Sequence, residues 1–85
     1  MNTTIEKLIA ICDTALDQEA GIFYSYHTFE SSEKINKIIF LRDSISSFLF
    51  SKMDQTEMIR LILEWSKKFV DEMVFQEISL VLSKC

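Results

Sequence analysis

The 85-residue chain contains one glycine and no proline. Turns and strand ends are normally punctuated by these two residues. A chain almost without them reads as a few long helices. Nearly half of the residues, 48%, are apolar, and seven Phe, two Tyr and one Trp carry much of that surface. A domain this short buries only about 60–65% of the surface its unfolded chain exposes. The expectation is an all-α fold with more apolar surface than it can hide alone.

Helix boundaries follow from capping signals. Thr3-Thr4-Ile5-Glu6 has the capping-box pattern, in which a hydroxyl accepts from an early amide and Glu reaches back. Ile5, Leu8, Ile9, Cys12, Ala15, Leu16 and Ala20 then repeat at the i, i+3, i+4, i+7 spacing of one helical stripe. Gly21 is placed to end this helix in a left-handed cap. A first helix over 4–20 is expected. Residues 22–29, Ile-Phe-Tyr-Ser-Tyr-His-Thr-Phe, favour a strand by propensity. No second strand offers itself, so an aromatic connection or a short helical turn is expected, with Tyr24, Tyr26 and Phe29 covering the bundle.

Ser31-Ser32 signals a second helix, over 32–52. Ile35, Ile38, Ile39, Arg42, Ile45, Phe48 and Leu49 form its stripe, and Phe40, Leu41 and Phe50 fall outside it. Such a helix, apolar nearly all round, wants neighbours on every side. A second capping box, Asp54-Gln55-Thr56-Glu57, opens a segment without breakers to Cys85. As one helix it would be about 45 Å long, against about 25 Å for the first. It either kinks near 67–71 or projects past the bundle onto another chain, and a largely continuous helix is the favoured reading. Met58, Ile62, Trp65, Phe69 and Met73 mark one face of it, and Val70, Val74, Ile78, Val81 and Leu82 drift onto another. The expected architecture is a single helical domain over 1–85. It is a three-helix bundle, the third helix long or bent into two, pairing as a homodimer through Phe69, Met73, Val74, Phe75, Ile78, Phe40 and Phe50.

Few residues suggest chemistry. His27 is the sole histidine, and His27-x-x-Glu30 reverses the Glu-x-x-His order of carboxylate-bridged metal bundles. Neither a metal nor another cofactor is expected. Cys12 lies on an apolar stripe and Cys85 at the last position, which is no disulfide framework. Ser44, Ser46, Ser47 and Ser51 lack the strand-turn-helix elbow of a serine nucleophile. Asp71 and Glu72 suit the start of a helical turn, where negative charge meets the macrodipole. With one glycine there is no phosphate-cradling loop. Enzymatic activity is not expected.

Charge narrows the partners. The net charge is −4. Its acidity is concentrated in residues 1–30, where Glu6, Asp13, Asp17, Glu19 and Glu30 face Lys7 alone. Glu6, Asp13 and Asp17 form a candidate acidic face for a basic partner protein. Lys34, Lys37 and Arg42, and separately Lys67-Lys68, are basic edges interleaved with acids. Nucleic acid is not expected as a partner, because the overall negative charge opposes phosphate. No basic leader is evident, and the longest apolar run, Ile38-Ile39-Phe40-Leu41, falls far short of the roughly 20 residues needed to span a bilayer. A cytoplasmic protein without membrane insertion is expected.

The spacing Leu41-x3-Ile45-x2-Phe48-Leu49, Glu57-Met58-Ile59-x2-Ile62 and Glu77-Ile78-x3-Leu82 resembles the small enterobacterial biofilm and acid-resistance regulators. The resemblance covers about half the chain and implies a dimeric three-helix regulator. The residues themselves suit a non-enzymatic protein-binding regulator or inhibitor that occludes a partner. A secretion or assembly chaperone, with an apolar groove between the second and third helices, is the other reading.

Overall fold

The computed structural model describes residues 2–26 and 29–84, with side chains described over 2–22 and 32–84. Its regular structure is all helical, with no strand among the described residues. Helix α1 spans Asn2–Tyr26, α2 Phe29–Ser46, α3 Gln55–Phe69 and α4 Glu72–Leu82; a 3₁₀ turn, Ser47–Phe50, follows α2. At 1.5 Å per residue, α1 alone is about 38 Å long, close to the molecule's longest extent of 41 Å.

Several boundaries differ from the sequence expectation. Helix α1 begins at Asn2, so Thr3 lies inside the first turn and is not its cap. It also runs through Gly21, which does not adopt a left-handed φ and whose missing side chain faces open space. One exposed glycine costs a helix only about 1 kcal/mol relative to alanine, and the segment after it continues the helix to Tyr26. Residues 22–26 are therefore helix and not a connection. Ser31 and Ser32 fall within the first turn of α2, which starts at Phe29. The side chains of Tyr24, Tyr26 and Phe29, expected to cover the bundle, and all of His27 lie outside the described residues, as does Cys85.

Helix α2 ends by tightening. The Ser46 and Ser47 hydroxyls donate to the carbonyls of Asp43 and Ser44, at 3.0 and 2.6 Å. Such back-bonding competes with the α-helical ladder, and the last turn closes as 3₁₀. The last helical residue is Phe50, two before the expected Lys52 end, and Ser51 is extended, with φ −82° and ψ 147°. Asp54 then caps α3, accepting from the Thr56 amide at 3.1 Å. Glu57, the other half of the expected capping box, instead pairs with Arg60 one turn on.

The expected continuous helix from Gln55 onward is broken in two. Val70 is extended, with φ −124° and ψ 162°, although its amide still closes α3 on the Ser66 carbonyl. Asp71 is extended as well, and its Oδ1 accepts from the Val74 amide at 3.1 Å, capping α4. A β-branched residue followed by a strong cap gives the backbone a cheap alternative to helix here. The return is burial: α4 folds back on α3 and α1, enclosing Ile78 and Leu82. Burying a large aliphatic side chain contributes about 1.5–3 kcal/mol, more than the one or two intrahelical bonds lost. The break falls within 67–71, where a kink was the alternative expectation, so the third helix is bent into two, giving four helices, and is not the favoured continuous one.

Each helix supplies one stripe to the core. Ile5, Leu8, Cys12 and Ala15 come from α1, Ile38, Leu41 and Ile45 from α2, Met58 and Ile62 from α3, and Ile78 and Leu82 from α4. Phe48 of the 3₁₀ turn adds a ring stacked on Trp65, with centroids 5.6 Å apart and planes 3° apart. Ser66 is the buried polar residue among them, and its hydroxyl is satisfied by the Ile62 carbonyl at 2.6 Å.

Candidate protein-binding surface

The helix stripes leave apolar residues over. On α2, Ile38 and Leu41 turn inward, so Ile39 and Phe40 between them are carried outward by the helical period. Phe40 is 57% exposed and touches the edge of Phe69, ring centroids 5.2 Å apart. Phe50, at the end of the 3₁₀ turn, is 92% exposed, and Met53 follows it in the same connection. On α4, Met73 and Leu80 lie seven residues apart, hence two turns along one face, and are 74% and 60% exposed.

The seven residues expected at an interface therefore divide. Phe40, Phe50 and Met73 stand out from the fold, Phe69 and Val74 are partly buried against the core, and Phe75 is half-buried. Ile78 has no exposed surface and belongs to the core, so it cannot touch a partner while the chain keeps this fold. Leu80, absent from the expected set, sits on the outer face of α4. The seven-residue spacing from Met73 is its signal in the sequence.

Two concavities border these residues. Between α3 and α4, Ile59, Leu63, Phe75 and Leu82 line an open groove of about 440 Å³, with Glu64 and Lys67 among its polar residues. This groove lies within the segment expected as the third helix, and no residue of α2 lines it, so it is not the apolar groove expected between the second and third helices. A second recess, of about 240 Å³, lies where the α3–α4 break meets α1 and α2.

The acidic residues divide too. Glu6 and Asp17 are exposed on α1. Asp13 accepts from Arg42 Nε at 2.5 Å, joining α1 to α2. The carboxylate, by hydrogen bond and charge, raises the Arg42 guanidinium above its already high ordinary value. An arginine on an apolar stripe was the sequence signal for this contact. Beside it, burial pushes the Cys12 thiol up to about 11, with Asp13 adding to the effect and Arg42 opposing it. A thiol held protonated and out of solvent is a small core residue and a poor nucleophile.

On the outer face of α3, Arg60 bridges Glu57 and Glu64, and Lys68 lies 3.9 Å from the same Glu64. The hydrogen bond from Arg60 holds the Glu57 carboxyl below its usual value. Among the described residues, no three metal-binding side chains cluster, and no helix is long and apolar enough to cross a membrane. Comparison with family models, with curated proteins and with solved structures finds no match to this chain. The likeness to biofilm and acid-resistance regulators thus rests on apolar spacing alone.

Proposed function

We propose that this chain is a non-enzymatic protein-interaction module, a small cytoplasmic regulator or inhibitor that works by covering a surface of another protein. One observation carries the reading: Phe40, Phe50, Met73 and Leu80 are each more than half exposed. Singly exposed apolar residues are ordinary on any protein. Here they are large, of the types that anchor interfaces, and placed on three separate elements. Phe50 gives the strongest support, since burying one aromatic side chain is worth about 2–3 kcal/mol and the fold leaves this one almost entirely in water.

Self-association is the second reading, favoured by the Met73–Leu80 face of α4, which a second copy could meet in antiparallel fashion. Absolute mass by light scattering over a range of concentrations, read with binding of a hydrophobic dye, separates the two. A dye-binding monomer supports a different protein as the occupant. A dimer that Met73→Asp with Leu80→Asp converts to monomer supports self-pairing. A monomer that takes up no dye and stays monodisperse when concentrated refutes both, because the exposed apolar residues would then form no usable surface.

A further inference from the structure

The recess at the α3–α4 break draws on all four helices. Ala15, Ile38, Phe69 and Val74 provide its apolar lining, and Lys34, Lys37 and Lys68 reach it from α2 and the end of α3. Three of the nine basic residues of an acidic chain thus converge on one opening. Lys34 and Lys37 are exposed and pair with no carboxylate among the described residues, and Lys68 has only the long 3.9 Å approach to Glu64. Two acids also line the recess. Asp71 is committed to the Val74 amide as the α4 cap, and Glu19 comes within salt-bridge distance of none of the three lysines.

Size and charge together select the occupant. Pockets for free small ligands are usually about 300–1,000 Å³, and this one, at about 240 Å³, suits one or two side chains. A nucleic-acid backbone is disfavoured by the net charge of −4 and by the apolar lining. A carboxylate beside an apolar side chain satisfies both halves of the site: the ammonium groups of Lys34 and Lys37, which pair with no carboxylate among the described residues, outside, and Ile38, Phe69 and Val74 within. We propose that this recess binds an acidic segment of a partner protein, in which an Asp or Glu next to an apolar residue meets Lys34, Lys37 and Lys68. The proposal rests on the protein-binding reading above and adds the chemistry of the partner, which is opposite in sign to the basic partner that Glu6, Asp13 and Asp17 would suit.

The test uses the full chain and a short fluorescein-labelled peptide of alternating Glu and Leu, with Gln/Leu and Lys/Leu peptides as controls. Anisotropy measures affinity, and amide shifts in the ¹⁵N-labelled chain locate the contact. The Glu/Leu peptide should bind best, shift Lys34, Lys37, Phe69 and Val74, and weaken steeply with salt. Lys34→Glu with Lys37→Glu should lower its affinity about tenfold or more, with helix content by circular dichroism unchanged because both residues are exposed. Equal binding of the Gln/Leu peptide, an unaltered affinity in the double variant, or displacement by oligothymidylate at the same residues would each overturn the proposal. Shifts confined to Ile59, Leu63, Met73 and Leu80 would also overturn it while leaving the protein-binding reading intact. Absence of binding by all three peptides, in a chain that is also a dye-free monomer, would remove both.

Discussion

Replacing Ile78 with alanine tests the fold at the point where it departs most from a simple rod. Ile78 lies on α4 with none of its surface exposed. The substitution removes three carbons, and at about 0.8 kcal/mol per buried methylene the transfer loss is about 2.4 kcal/mol. Incomplete collapse of the cavity adds about 1 kcal/mol. Alanine's better helix propensity returns about 0.4 kcal/mol. The net loss is about 3 kcal/mol, a large part of the stability of a domain this size, and it corresponds to a fall in Tm of about 12–24 °C. Urea unfolding followed by circular dichroism at several protein concentrations measures it. Met73→Ala, on the exposed face of the same helix, should stay within about 0.5 kcal/mol of the parent. A loss below about 1 kcal/mol for Ile78→Ala would refute the core placement. A loss that shrinks as protein concentration rises would instead place Ile78 between subunits.

Other consequences follow from particular contacts. Asp71→Ala leaves the Val74 amide without its 3.1 Å acceptor and should cost about 1 kcal/mol, with hydrogen exchange rising first in the opening turn of α4; uniform protection across that turn would argue against the cap. The Glu57 carboxyl, held below its usual 4.5 by Arg60, contributes stability that is present above that value and is lost as pH falls through its lowered folded value. Its NMR titration midpoint should therefore lie below 4.5 and return toward it in Arg60→Gln. Cys12 is buried with its thiol near 11, so in a Cys85→Ser background it should resist an aromatic disulfide reagent at mildly alkaline pH until urea unfolds the chain. Fast labelling of the native protein would contradict that placement.

Much of the helical core is legible in one dimension. The period of Ile5, Leu8, Cys12 and Ala15 specifies a buried stripe because helix geometry returns a side chain to the same face every three or four residues. On α2, Ile38 and Ile45 keep to the expected stripe, whereas Leu41, expected outside it, is buried and Ile39, expected on it, is exposed. Asp54 was readable as a cap for the same local reason: its carboxylate reaches only two residues ahead. Gly21 misled because a glycine permits a left-handed cap without requiring one. Between Lys67 and Glu72 the local signals were divided, since no proline or glycine forbids helix and yet Val70 and Asp71 tolerate a break.

Tertiary structure made that choice. A straight rod would have left Ile78 and Leu82 in water, and folding back gave them a core to join. The same fold decided which apolar residues of α2 and α4 stayed outside, and it joined Arg42 to Asp13 across 29 residues of sequence. It also brought lysines from two helices to one apolar recess. Periodicity reports which face of a helix is apolar and caps report where a helix can start. What covers that face, and which charges meet, depends on burial and separations that only the assembled chain sets.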